Sequence, residues 1–173
     1  MLILLMGISG SGKSTVAKAL CGDVTSTVVL GDSPLGRRVT GIATGRRLGD
    51  TVIGSADTYF VGPDGVYRHD AAFLGRAHGE CLRYVVGALE RESSLVIVDN
   101  TNTSLIECAP YIALGQAYEQ EVVVLVLNVS VGKAIERNVH QVPEAGIAAQ
   151  AGRLVKTLME WPPWWPRPEM FEA

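Results

Sequence analysis

The chain has no excess of positive charge, no paired cysteines and no apolar run of membrane-spanning length, and each absence removes a class of function. Its 173 residues carry 15 Lys and Arg against 18 Asp and Glu, a net charge of -3 with a pI near 5.6. No global field draws such a chain to nucleic acid, so any binding of that kind depends on a local surface. The three cysteines, Cys21, Cys81 and Cys108, are odd in number and far apart, a spacing that offers neither a zinc site nor a redox dithiol. His69 and His78 likewise stand in no metal-ligand spacing with other His or Cys residues. The apolar start from Met1 to Met6 is too short for a secretory leader, and it runs straight into a glycine-rich loop. These features predict a soluble, cytoplasmic protein without membrane contact. What remains is a chain of one-domain length with 47% hydrophobic residues, enough to bury a substantial core.

The apolar runs 2–6, 95–98 and 122–127 are short and unbroken, as strands buried on both faces of a parallel sheet are. Thr51-Val52-Ile53 reads as a further short strand. Between these runs the spacing predicts helices over 13–21, 70–92, 104–119, 130–139 and 144–160. In the second, Leu74, Ala77, Cys81, Leu82, Val85 and Leu89 form one stripe. In the last, Ile147, Ala151, Leu154 and Leu158 point inward. Ser104 and Glu107 have capping-box spacing at the head of the third, where Pro110 either kinks the helix or marks its start. Alternating strands and helices indicate a three-layer α/β domain over 1–160, with a mainly parallel central sheet flanked by helices. Residues 24–54, rich in Gly, Thr and Val, read as an inserted hairpin or loop. In the Trp/Pro-rich tail 161–173, the prolines of 161–168 favour an extended polyproline form, and the tail is expected to fold back on the domain.

Gly7-Ile8-Ser9-Gly10-Ser11-Gly12-Lys13-Ser14 satisfies the Walker A pattern between a buried strand and a helix, the context its mechanism requires. Glycines let successive backbone amides turn inward around phosphate oxygens at a helix N-terminus. The candidate nucleotide contacts are therefore Gly7, Ser9, Gly10, Ser11, Gly12, Lys13, Ser14 and Thr15, with ATP and Mg²⁺ as the implied cofactors. Lys13 would reach the outer phosphates, and the Ser14 hydroxyl would meet the metal. Asp57 follows the strand 51–53 and is placed at the carboxyl end of the sheet, where it can take the proton of an attacking hydroxyl. Alternatively it caps the turn or orders water around the metal. Asp99 ends the strand 95–98 at the Walker B position and is the second candidate metal contact, while Thr101 and Asn102 orient either the acceptor or the loop itself. Arg137 opens 137–143, at the end of one predicted helix before the next begins, as a lid arginine or as a helix-end side chain satisfying carbonyls. Tyr59 and His78 are candidate acceptor contacts, and the arginine pairs at 37, 38, 46 and 47 are candidate phosphate contacts, Arg37 and Arg38 foremost.

Taken together, 7–15, 55–60, Ala77-His78, 98–102, Pro110-Tyr111 and 137–143 resemble the polynucleotide kinase branch of the P-loop kinases. The resemblance covers nearly the whole chain except 24–50 and the tail. It implies transfer of the ATP γ-phosphate to a polynucleotide 5′-hydroxyl, of DNA or RNA, with Asp57 as base, Lys13 and Ser14 on phosphate and metal, and Arg137 in the lid. Two departures stand out. Several such kinases have an arginine three residues past the base, where this chain has Phe60, and a second lid arginine where it has Gln141. Other acceptors compatible with the same motifs are a hydroxymethylated base in DNA, such as 5-hydroxymethyluracil in viral DNA hypermodification, and a small metabolite. A nucleotide-dependent switch would have no use for Asp57.

Overall fold

The computed structural model describes residues 1–21 and 51–172. In chain order the elements are β1 (Leu2–Met6), α1 (Lys13–Leu20), β2 (Thr51–Gly54), α2 (Leu74–Glu90), β3 (Leu95–Asp99), α3 (Leu105–Ala117), β4 (Val122–Asn128), α4 (Val131–Glu136), α5 (Glu144–Met159) and β5 (Pro168–Glu172). Short 3-10 segments, Ala56–Phe60 and Ala71–Phe73, stand between β2 and α2. The five strands form one sheet in the order β2-β3-β1-β4-β5, and every pairing is parallel. Of the predicted insertion 24–54, only 51–54 fall within the described residues, as β2; Arg37, Arg38, Arg46 and Arg47 lie outside them.

β1 explains the layering. All five of its residues are at most 1% exposed, because alternate side chains enter two different cores. Leu2, Leu4 and Met6 pack with α2, α3 and α5, whereas Ile3 and Leu5 pack with α1. A strand that is apolar at both parities needs helices on both faces, and burying each such side chain contributes about 1.5–3 kcal/mol. β1 is also the middle strand, so the loop leaving its carboxyl end emerges at the centre of one sheet edge.

The helix caps account for several boundaries. Ser104 Oγ accepts from the Glu107 amide at 3.4 Å, and the Glu107 carboxylate accepts from the amides of Ser104 and Thr103 at 3.1 and 2.7 Å, so α3 begins on a complete capping box. Pro110 therefore lies inside α3 and does not mark its start. The predicted start of α2 at Asp70 is replaced by a 3-10 turn, since the Asp70 side chain accepts from the Ala72 amide at 2.9 Å. Leu74 does not join the buried stripe of α2; it is 38% exposed, while Ala77, Cys81, Val85 and Leu89 are buried. α4 ends at Glu136, three residues before the predicted end. There Asn138 folds its side chain onto Val142, donating to its carbonyl at 2.7 Å and accepting from its amide at 3.2 Å, which closes a loop in place of a further helical turn.

The tail adds an element with no counterpart in the sequence reading. Residues 168–172, which follow the Trp/Pro stretch, form a fifth strand, with Pro168 as its first residue, where a missing amide is tolerated on an edge. Trp161 and Trp165 meet edge to face at 5.1 Å and pack on the larger core, with Trp161 Nε1 donating to the Pro166 carbonyl at 3.0 Å. Trp164 is exposed. Phe171 packs on the smaller core beside α1. A chain ending at Glu160 loses the Phe171 contact and bares the edge of β4, so its Tm is expected to fall by at least about 5 °C by scanning fluorimetry. An unchanged Tm would mean that β5 is not formed in solution.

Candidate active site

Three adjacent parallel strands, β1, β2 and β3, end at the same sheet edge, and each delivers one chemical component there. From β1 the chain passes through Ile8-Ser9-Gly10-Ser11-Gly12 into α1. Gly12 caps that helix at φ +91°, a conformation that favours glycine, with open space where a Cβ would stand. Gly10 has φ +82°, and a Cβ there would collide with the carbonyl oxygen of Ala134 in α4. Only glycine permits that approach. Gly7 donates to the Thr101 carbonyl at 2.9 Å and Ser9 to Gln150 Oε1 at 2.7 Å, which ties the loop to the end of β3 and to α5.

Lys13 is buried, with its ammonium donating to the Ile8 carbonyl at 2.9 Å and lying 3.5 Å from Ser11 Oγ. Burial brings it down from the usual lysine range to about 8, against the opposing charges of Asp99 and Asp57. Asp99, the last residue of β3 and the register partner of Leu5, is also buried. Burial raises its carboxyl, while a hydrogen bond from the Ser14 hydroxyl and the Lys13 charge act the other way. A hydroxyl and a carboxylate in contact, beside an open loop, are the oxygen donor pair that magnesium uses together with phosphate oxygens. Among the described residues no cluster of three His, Cys, Asp or Glu could hold a metal alone. The pair Ser14 and Asp99 fits a cation that brings most of its ligands with it.

β2 delivers Asp57. Ser55 caps the 3-10 segment, its hydroxyl accepting from the Asp57 amide at 3.3 Å. The preceding amide, Ala56, donates to Asn100 Oδ1 at 2.8 Å. Asn100 is itself buried, and its Nδ2 lies 3.3 Å from Tyr111 Oη and 3.4 Å from Cys81 Sγ. A satisfied amide in the core thus fixes the arm that carries Asp57 to the end of β3. The carboxylate is about half exposed and accepts from the Tyr67 phenol at 2.9 Å, with His140 Nε2 3.9 Å from its other oxygen.

Asp57 stands on the wall between two cavities. The larger, of about 570 Å³, is lined by Ser9 to Val16, Thr101, Arg137, Val139, His140 and the β5 residues Phe171 and Glu172. The smaller, of about 340 Å³, is lined by Phe60, Tyr67, His69, Leu74, His78, Asn100, Gln141 and Gln150 among others. Ser9, Asp57, Thr101 and His140 line both. The structure therefore brings together Ser9, Gly10, Ser11, Gly12, Lys13, Ser14, Thr15, Asp57, Thr101 and Arg137 around one space, with His78 on the adjoining one.

Four expected residues line neither cavity: Gly7, whose amide is bonded to the Thr101 carbonyl, Asp99, buried behind Ser14 and Lys13, and Asn102 and Tyr59. Asn102 is 1% exposed, with φ +46°, and donates to the Leu5 carbonyl at 2.7 Å; it braces the end of β1. Tyr59 points to the opposite side of its 3-10 segment, into a separate groove with Ser55, Thr58 and Tyr84, and packs on Phe60 and Phe73. With three residues per turn, Asp57 and Phe60 share the face toward the cleft, and Tyr59, two positions after Asp57, is rotated off it. Conversely, Tyr67, Asn100 and His140 have no role in the motif reading. The signal for Tyr67 is Gly62-Pro63-Asp64-Gly65, a turn sequence that folds the following residues back toward Asp57.

A family model described as AAA domain (AAA_33) matches residues 2–159. The human NEDD4-binding protein 2 is 34% identical over 121 residues, covering 70% of this chain; the chain corresponds to 5% of that protein's length. Among solved structures, a chain of the Pnkp1/Rnl/Hen1 RNA repair complex superposes with a TM-score of 0.64 at 20% identity, over 96% of this chain and 48% of its own. The gluconokinase from Sinorhizobium meliloti 1021 gives a TM-score of 0.53 at 17% identity, over 98% and 81%. At such identities the structural likenesses establish the fold. With the family model spanning all of β1 through α5, the chain belongs to the AAA_33 family of AAA domains and carries a P-loop kinase fold.

Proposed function

We propose that the protein transfers the γ-phosphate of ATP to a hydroxyl of nucleic acid, a polynucleotide 5′-hydroxyl. One observation carries this reading: Asp57 lines both the P-loop cavity and the adjoining one, so a single carboxylate faces the spaces in which donor and acceptor would meet. The P-loop amides, Lys13 and Arg137 line the donor side, where they suit a triphosphate. Ser14 and Asp99 would hold magnesium, which when bound neutralises charge on the outer phosphates.

The acceptor side supports a nucleoside. Phe60, Tyr67, His69 and His140 offer ring surfaces, and Asn100, Gln141 and Gln150 offer amides that both donate and accept. Among the described residues no Lys or Arg lines that cavity. An RNA repair complex among the structural neighbours agrees in substrate class. In the reaction, the acceptor O–H proton passes to Asp57 as its oxygen bonds to the γ-phosphorus. The bond from that phosphorus to the β-bridging oxygen breaks, and ADP leaves with its electron pair. Arg137 meets the charge that develops on the transferred group, and Lys13 holds the oxygens of the leaving side.

Labelled ATP offered with a 5′-hydroxyl oligonucleotide, its 5′-phosphorylated counterpart and duplex DNA bearing hydroxymethyluracil tests the assignment. Label on the first alone is expected. Label on the third regardless of its ends would move the acceptor to a modified base, and ATP binding with no transfer to any would point to a small metabolite. Asp57→Asn is expected to lower kcat by about 10²–10⁴-fold with nucleotide affinity unchanged within about two-fold. Arg137→Ala is expected to lower kcat by about 10²-fold or more, read in the same assay.

A further inference from the structure

Asp57 is half exposed on a single-turn 3-10 segment, so its χ angles are not fixed by packing, yet a base must offer its proton-accepting oxygen in one direction. Something outside the segment has to hold it. The chain from Val61 to Arg68 folds back as a tight hairpin. Gly62 donates to the Val66 carbonyl at 3.0 Å, Gly65 takes φ +73°, and the Asp64 carboxylate accepts from the Val66 amide at 3.1 Å. Arg68 makes a two-pronged contact with Asp64 at 2.9 and 2.6 Å, and its amide donates to the Phe60 carbonyl at 2.8 Å. Val61 and Tyr67 are bridged antiparallel across that hairpin.

The hairpin carries Tyr67 to the cleft. Its ring meets Phe60 edge to face at 6.1 Å, stacks near His69 at 6.5 Å and lies 4.7 Å from the ring of His140. With the ring seated on three neighbours, the phenol reaches Asp57 Oδ1 at 2.9 Å. Asp57 Oδ2 has no hydrogen-bond donor among the described residues, His140 being 3.9 Å away. We infer that Tyr67 is a positioning residue of the transfer reaction: its phenol occupies one oxygen of the Asp57 carboxylate and so leaves the other turned to the acceptor hydroxyl. The inference rests on Asp57 acting as the base. Burial, and then the Asp57 charge, push the phenol above its usual range, so it stays protonated and remains a donor throughout the cycle. Tyr67 neither gains nor loses a proton; the acceptor's proton goes to Asp57.

Tyr67→Phe removes the hydroxyl and keeps the ring. With a 5′-hydroxyl oligonucleotide and ATP it is expected to lower kcat by about ten-fold, the effect of one hydrogen bond to a charged group, with both KM values within about two-fold and Tm unchanged. On an Asp57→Asn background it is expected to add no further loss in single-turnover transfer. A Tyr67→Phe enzyme with wild-type kcat, or a loss of equal size on the Asp57→Asn background, overturns the positioning role and leaves the kinase assignment standing. An Asp57→Asn enzyme that retains full activity sinks the base assignment, and the role of Tyr67 with it.

Discussion

The buried ammonium of Lys13 is the constraint around which the site is organised. A desolvated cation costs several kcal/mol unless its surroundings compensate it, and here the compensation comes from three separate stretches of chain. The Ile8 carbonyl belongs to the P-loop, Asp99 to the end of β3, and Asp57 to the segment after β2. Each is held by its own element, and none could move far without leaving the cation less well matched. The reduced proton affinity of Lys13 is the sign that compensation in the free protein is incomplete. A polyanion entering the loop would supply what is missing, so the same burial that weakens the ammonium alone favours a phosphate beside it.

Asp99 and Asp57 meet that requirement in different ways. Asp99 is set by strand register against Leu5, with little freedom once β1 and β3 pair. Asp57 lies beyond the end of its strand, and its backbone is fixed sideways by the Asn100 amide, whose other bonds reach Tyr111 and Cys81 in the core. A polar group in that place is tolerable because it is satisfied, and its satisfaction couples α2, α3 and β3 to the arm. The carboxylate least fixed by the sheet is thus the one given an additional partner, Tyr67, from outside it.

Where each residue's environment is local, the sequence revealed it. The P-loop follows from glycine placement between strand and helix, and α3 begins where Ser104 and Glu107 predict, because a capping box involves four residues in succession. β1, β3 and β4 are apolar at both parities and could lie only inside a covered sheet. Contacts across the chain were not legible in the same way. β5 has no apolar run, since an edge strand buries little, and it follows directly on a proline-rich stretch that reads as polyproline. Asn102 was visible as a polar residue after a Walker B strand, but nothing local says that it turns inward to Leu5 while Thr101 turns outward. Tyr67 and Asn100 owe their places to partners ten and forty-four residues away.

The segment between α4 and α5 joins the two halves of the site in one short stretch. Arg137 and Val139 line the P-loop cavity, Gln141, Val142 and Pro143 line the adjoining one, and His140 lines both. Asn138, bonded to both polar groups of the Val142 backbone, makes the stretch a closed loop. α4 is bound to the P-loop through the contact of Gly10 with Ala134, and α5 through Gln150 on the Ser9 amide. Residues of both spaces are therefore carried on one short loop, and that loop is braced against the P-loop from the helix on each side of it.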